Sequence, residues 1–386
     1  MTWRTINVED QRKAFIVAYS SKRFTITDLC RQFGISRPCA YKWIDRFEQV
    51  GWNGLKDLSK KPRHSPTTTS EQITNAILAV KYSYSKWGPK KILGHLRNKV
   101  GDIEWPSLTT VENILKKNGL VAKRKFRRRL AQRTNPLGEC NLSNDIWCMD
   151  FKGWWHTKDQ IKFTPFTITD GFSRFLLCCQ QLNLNDTAHV WAVFERLFRE
   201  YGLPLKVRSD NGPPFASLGA GRLSRLSINL LKAGIMPEWI DPGEPQQNGR
   251  HERMHLTLKE EAVDLDLDLS DQVKKIDEFT NYYNYIRPHE SLNQMTPGDI
   301  YKPSKRYWDG SLRSPEYPKE FKVSKVRSCG KMSWKGDFVY IGRKFEGEPI
   351  GIKVDDENVK AYYGPIFLGI VRENTLEIKR NAGRRN

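Results

Sequence analysis

No stretch of the sequence approaches the roughly 18 consecutive apolar residues of a membrane-crossing helix, and no signal-peptide hydrophobic core opens it. Cysteine is scarce: seven residues, an odd number, with no C-x-x-C pair. That fits neither a disulfide scaffold nor a cysteine-rich zinc module, and it points to a reducing, cytoplasmic setting. Acidic residues are also in short supply, 44 Asp and Glu against 64 Lys and Arg, for a formal net charge of +20. Packing material is not short. Hydrophobic residues make up 38% and aromatics 11% of 386 residues, too much for a disordered chain and enough for roughly two to four domains with cores of their own.

The positive charge is concentrated at one end. Residues 1–143 hold 28 Lys and Arg against 11 Asp and Glu, a net +17 of the total +20. A basic third on a near-neutral body is the electrostatic footprint of a nucleic-acid partner. Within 1–55, Phe24 to Ser36 has the grammar of helix, turn and helix. Thr25 with Asp28 is a capping signal, Leu29 and Phe33 share a face, Gly34 permits the turn, and Ser36 with Pro38 opens the next helix. That helix has an apolar back of Ala40, Trp43, Ile44 and Phe47, and it offers Arg37, Tyr41, Lys42 and Arg46 to base edges and phosphates. Residues 56–70 read as a basic linker whose Lys60, Lys61 and Arg63 would lie along a phosphate track. Residues 71–122 read as a second helix-turn-helix unit, with helices near Pro89–Lys99 and Thr110–Lys117 and a cap at Thr109 and Glu112. A second basic linker, 123–143, carries the densest run: Lys123, Arg124, Lys125, Arg127, Arg128 and Arg129.

From Asn144 to 301 strands alternate with helices. Strands are expected over Ile146–Lys152, Phe163–Thr169 and Phe175–Gln181, then a long helix with Val190, Phe194, Leu197 and Tyr201 on one face. A short strand at Leu205–Ser209, a helix near Arg222–Ala233, a strand at Ile235–Ile240 and a helix through Arg250–Glu261 complete a ribonuclease-H-like α/β order. Three acids hold telling places in it: Asp150 within the first strand, Asp210 at the tip of a short one, and Glu252 in the first turns of a helix. Hard divalent cations take oxygen ligands, and two-metal phosphoryl transfer needs carboxylates converging from separate elements. Asp170, in Thr-Asp-Gly, reads as a turn residue.

Five ordered motifs carry a resemblance. They are Trp147-Cys148-Met149-Asp150, Asp170 to Arg174, Ser209-Asp210-Asn211-Gly212-Pro213-Pro214-Phe215, Pro245 to Arg253, and Tyr283-Asn284 to Arg287-Pro288-His289. Together they resemble the integrase core of DDE transposases from bacterial insertion sequences, relatives of retroviral integrases. The resemblance implies that Asp150, Asp210 and Glu252 are the catalytic, metal-binding triad, holding two Mg²⁺ (or Mn²⁺) ions per active site. It further implies transposon-end and target double-stranded DNA as substrates, a homo-oligomer of at least a dimer on the DNA ends, and a bacterial, nucleoid-associated location. Lys259, two helical turns after Glu252 on the same face, would contact the terminal DNA, and Arg287 and His289 would brace the catalytic helix or touch DNA.

Two departures stand out. Asp210 and Glu252 are separated by 41 residues, more than is usual for such enzymes, the excess falling near Ser217–Ser227 as a longer, flexible loop. The His/Cys zinc module of retroviral integrases is missing from the pattern, so no structural zinc is expected. Two rival readings remain in view. His251-Glu252-Arg253-Met254-His255 fits the H-E-x-x-H zinc-protease helix, but no third ligand is at hand and the basic arm goes unused. A DNA-binding regulator that kept the fold and lost catalysis is the other. Residues 302–320 read as a linker, and the alternating runs of 321–386 as a small β-barrel.

Overall fold

The computed structural model describes residues 7–59, 68–121 and 140–377, apart from 102, 152, 183, 185, 356–357 and 373–374. Lys60, Lys61, Arg63 and the run Lys123 to Arg129 lie outside the described residues. The chain forms two compact units, residues 1–69 and 70–386.

The first unit is α1 (Val8–Ser20), α2 (Ile26–Phe33), α3 (Arg37–Val50) and a 3-10 turn to Leu55. Phe15, Ile16, Leu29, Ala40, Trp43, Ile44 and Leu55 close its core. The Thr25 hydroxyl accepts the amide of Asp28 at 3.3 Å, and Gly34 takes a left-handed φ of 63° between α2 and α3, a conformation that costs glycine little. Ser36 occupies the cap position of α3, but its hydroxyl makes no capping bond.

The second unit opens with α4 (Glu71–Ser83), α5 (Pro89–Val100) and α6 (Leu108–Lys117). The sequence reading missed α4, which Ser70 caps through the amide of Ile73 at 3.3 Å and which buries Ile77 alone among its residues. The expected cap of α6 at Thr109 is corrected: Ser107 accepts the Thr110 amide, so the helix starts two residues earlier. These helices close their core partly with Tyr282 and Ile286 from the following domain.

That domain has β1 (Ile146–Phe151), a small hairpin of β2 (Trp155–His156) and β3 (Lys162–Phe163), β4 (Pro165–Asp170), β5 (Leu176–Gln181), α7 (Thr187–Tyr201), β6 (Lys206–Ser209), α8 (Arg225–Lys232), β7 (Met236–Trp239), α9 (Gly249–Glu261), α10 (Leu269–Tyr285) and the short α11 (Pro297–Ile300). Its sheet runs β5-β4-β1-β6-β7, antiparallel on the first side of β1 and parallel on the other. This is the order expected of a ribonuclease-H-like core. The long helix α7 buries Val190, Phe194 and Leu197 on the sheet, among Trp147, Phe166 and Val207. Residues 302–320 run as a pinned strap: the Leu203 amide donates to the Arg306 carbonyl at 2.8 Å, and the Tyr317 hydroxyl to Pro349 at 3.0 Å.

The C-terminal part is β8 (Lys322–Lys325), β9 (Lys331–Trp334), β10 (Asp337–Tyr340), β11 (Pro349–Asp355), β12 (Asn358–Tyr363), β13 (Ile366–Arg372) and β14 (Thr375–Glu377). The expected small β-barrel is corrected to an open sheet. Five strands run β14-β13-β12-β11-β8, β9 pairs only with β10, and among the described residues the edge strands β14 and β8 do not pair to close the sheet. Its apolar face is covered by Met332 and Val339 of the β9–β10 hairpin and by Ala220, Leu223 and Ile228 of the preceding domain.

Candidate active site

β1 is buried from Ile146 through Met149, and the strand emerges at Asp150, whose side chain keeps 29% of its surface. The parallel pairing of β1 with β6 matches Ile146 with Lys206, Trp147 with Val207 and Cys148 with Arg208. Carried two residues further, the same register sets Asp150 beside Asp210, just past the end of β6. The turn there is tight. The Gly212 amide donates to Asp210 Oδ1 at 3.0 Å, and a Cβ on Gly212 would stand 3.3 Å from Asp210 Oδ2. Asn211 ties the turn to the carbonyl of Ile240 at 2.9 Å. Phe215 then folds back, its ring 5.5 Å from Phe151.

Glu252 lies in the first turn of α9 and is exposed. The loop ahead of the helix is closed by Gln247 and Asp241, which exchange bonds of 2.7 and 2.8 Å, and Arg208 donates to the Gln247 carbonyl at 3.2 Å. Arg250 anchors the first turn on the Gly171 carbonyl at 2.8 Å. Glu252 and Lys259 are both exposed, seven residues apart on one face, about 10 Å along the axis.

The buried flank of α9, next to that face, is held by a polar network that sequence reasoning missed. His251 Nε2 and His255 Nε2 lie 2.8 and 2.7 Å from the Thr167 hydroxyl, and His251 Nδ1 lies 2.7 Å from that of Thr169. Thr167, which faces Asp150 across the β1–β4 ladder, donates to the Asp150 carbonyl at 2.9 Å. His255 Nδ1 stands 3.8 Å from Asp150 Oδ2. Burial, with the neighbouring His255, holds His251 well below the usual histidine range, so the ring is neutral at pH 7. Both His251 nitrogens are thus engaged in hydrogen bonds, and the zinc-protease reading loses its first ligand. The i, i+4 spacing that suggested it was the available signal, because it also sets two rings on one helix face against alternate threonines of β4.

The Tyr-Asn-x-x-Arg-Pro-His segment braces the core. Asn284 takes the Leu176 amide at 2.8 Å and gives to its carbonyl at 3.0 Å, continuing the bonding of β5. Arg287, 8% exposed, pairs with Glu261 of α9 at 3.3 Å, and burial pushes the neighbouring His289 down to about 3. Asp170 is fully buried and accepts from the Asn144 amide and from the Ser173 amide and hydroxyl, a turn-holding role.

Asp150, Asp210 and Glu252 supply hard carboxylate oxygens, a donor set suited to Mg²⁺ or Mn²⁺. Asp150 lies near the end of β1 and Asp210 directly follows β6, its parallel neighbour, while among the described residues no three His, Cys, Asp or Glu are gathered closely enough to hold an ion. In the first unit Arg37, Tyr41 and Lys42 are exposed on α3. Arg46 is engaged, donating to the Lys56 carbonyl at 2.6 Å with its guanidinium 4.6 Å from the Trp43 ring.

Comparison with known proteins agrees with this architecture. Residues 141–245 and 233–297 match the integrase core domain, 11–63 a helix-turn-helix domain, and 39–115 a homeodomain-like domain. The chain is 24% identical over 245 residues to an uncharacterized 39.2 kDa protein of insertion element IS476 from Xanthomonas euvesicatoria, covering 62% of this chain and 67% of that protein. It is 36% identical over 128 residues to the Gag-Pro-Pol polyprotein of simian retrovirus SRV-1 and over 85 residues to the Gag-Pol polyprotein of baboon endogenous virus. The chain spans only 6% and 5% of those polyproteins, and covers 32% and 22% of its own length. Among solved structures, the magnesium complex of the HTLV-2 integrase catalytic core matches 42% of this chain and 98% of its own, at 19% identity and a TM-score of 0.34. A simian T-cell lymphotropic virus intasome bound to the PP2A regulatory subunit B56 gamma matches 76% of this chain and 99% of its own, at 16% identity and a TM-score of 0.37. With a helix-turn-helix match ahead of two integrase-core matches, the chain is similar to the transposases and integrases of insertion elements and retroviruses.

Proposed function

We propose that the chain is a DDE-type polynucleotidyl transferase. It binds the terminal inverted repeats of its element, cleaves at the ends by hydrolysis, and joins the freed 3′-OH ends to target DNA. The observation that supports this reading is the parallel pairing of β1 with β6, whose register, carried past Cys148 and Arg208, would bring Asp150 near Asp210, while Glu252 is exposed in the first turn of α9. These three carboxylates would hold the metal, two Mg²⁺ or Mn²⁺ ions, which when bound polarise the phosphodiester and favour ionisation of the attacking hydroxyl. The chain's own side chains orient the substrate. Lys259, exposed on the face of Glu252, would hold a terminal phosphate, and Arg37, Tyr41 and Lys42 would read base edges from α3. Lys60, Lys61, Arg63 and the run Lys123 to Arg129 would supply phosphate contacts. In the first step water attacks the phosphorus at the element's end and the P–O3′ bond breaks, releasing the 3′-OH. In the second that 3′-OH attacks a target phosphorus and the target strand's own 3′ oxygen leaves. No serine or tyrosine nucleophile is required. Concerted joining of two ends calls for a dimer or larger assembly on DNA.

The test is a strand-transfer assay with duplexes from the flanks of the gene, comparing wild type, Asp150→Asn and Glu252→Gln in Mg²⁺, Mn²⁺ and chelator. Asp150→Asn should lose at least about a thousandfold in cleavage while binding ends as wild type does. Normal cleavage by Asp150→Asn would sink the assignment. End binding without cleavage by the wild type would favour the regulator.

A further inference from the structure

The excess length between Asp210 and Glu252 is built into a joint. The backbone folds back at an Ala216–Leu223 bridge, and the Ser217 amide donates to the Arg222 carbonyl at 2.9 Å. Ala220 and Leu223, with Ile228 of α8, are buried among Val326, Met332, Phe345, Ile350 and Leu368 of the C-terminal sheet. Gly221 has a φ of 61°, and a Cβ there would lie 2.8 Å from Leu368 and 3.0 Å from Ile366. So the segment expected as a flexible loop is a peg seated in the following domain.

One polar group locks the peg. Lys344, in the 3-10 turn Arg343–Phe345, sends its ammonium to the Ser217 hydroxyl at 2.6 Å and to the Leu223 carbonyl. Among the described residues it has no ion-pair partner, and burial pulls it down to about 8. A half-buried ammonium that binds neutral oxygens is costly unless those bonds hold something in place. From the other side, Ser224, Ser227 and Trp239 all donate to the Phe215 carbonyl, at 3.1, 2.7 and 3.3 Å. The Phe215 amide returns to Gly212 at 3.0 Å, and its ring lies against Phe151, the neighbour of Asp150. A continuous chain of bonds and packed rings therefore runs from Lys344 to the turn that aims Asp210.

We propose that Lys344 is a positioning residue through which the docked C-terminal sheet holds the Asp210 turn in its working conformation. The proposal rests on the transferase reading for its catalytic consequence, and on the loop itself for its structural one. The experiment uses the full chain as wild type, Lys344→Met, Lys344→Arg and Ser217→Ala. Amide hydrogen exchange over 212–223 is read without DNA. End binding to an inverted-repeat duplex is read in chelator, and joining rates in Mg²⁺. Lys344→Met keeps the apolar stem and removes the donors. It should speed exchange across the peg about tenfold or more and lower kcat about as much, with KM for target and Kd for ends within about twofold. Lys344→Arg should recover much of both effects. Unchanged exchange, or faster exchange with unchanged kcat, overturns the proposal, as does a parallel loss of end binding. If Lys344→Met fails to fold, Ser217→Ala carries the same readouts, because it removes one acceptor and leaves the buried contacts intact. Should the wild type join no DNA with any divalent cation, the transferase reading fails by itself, and the exchange data still decide whether Lys344 locks the peg.

Discussion

His289 shows how far burial sets chemistry at a single residue. Its ring is buried against Tyr283 beside the charge of Arg287, and desolvation followed by that charge lowers it to about 3. A histidine whose folded value lies below its unfolded value of about 6.5 binds fewer protons when folded, so its stabilising effect is full above that value and lost as pH falls toward 3. Stability should therefore drop by about 1.4 kcal/mol per pH unit below pH 6 from this residue alone. Urea midpoints at pH 7 and 5 read the drop, and His289→Gln should flatten it; an equal drop in the variant would mean other groups dominate. The same residue was legible in the sequence only as part of a motif. Its role was not, because whether a histidine faces DNA or packs inside depends on which elements cover it.

At the scale of elements, α9 is fastened at three points: Arg250 on Gly171, the two histidines on Thr167, and Glu261 on Arg287. The last pair leaves each side chain 10% exposed, and removing the cation strands a buried carboxylate. Arg287→Ala should cost about 3–5 kcal/mol in unfolding free energy, measured by urea denaturation. Glu261→Gln/Arg287→Met together should cost less than Arg287→Ala alone; a larger loss in the double variant would refute the pairing argument. The helices α4, α5 and α6 are fastened to the same region. Trp87 is fully buried, stacks on Tyr84 and donates to the Tyr282 hydroxyl at 2.7 Å. Trp87→Ala should lower stability by about 3–5 kcal/mol, and a shift in melting temperature near zero would argue against this docking. The sequence predicted α5 and α6, the latter from its capping signal, but not α4, whose apolar residues mostly stay half-covered and so leave a weak repeat.

For the whole molecule, the distribution of charge matters more than its sum. With +17 of the +20 in the first 143 residues, end affinity should fall steeply with salt, by about 0.9 in log K per decade of salt for each phosphate neutralised. Replacing Lys123, Arg124, Lys125, Arg127, Arg128 and Arg129 by Gln should flatten that slope by several units, in binding isotherms from 50 to 300 mM salt (on the order of the range used for such slopes). A slope unchanged by the six substitutions would place the phosphate contacts elsewhere.

The sequence by itself determined the order of the main strands and helices of the central sheet domain and the basic end, and it singled out three carboxylates as candidates, because periodicity, charge and acid placement are local properties that survive without knowledge of neighbours. Tertiary structure alone decided that β1 and β6, 60 residues apart in the chain, pair in parallel, so that the strand ends carrying Asp150 and preceding Asp210 lie next to each other. It also turned the H-E-x-x-H spacing into an anchor on Thr167, the surplus loop into a peg under Lys344, and the expected barrel into an open sheet covered by its neighbour. In each case the deciding quantity was burial against a distant segment, which sets what a polar side chain can bond to and is written in no single stretch of sequence.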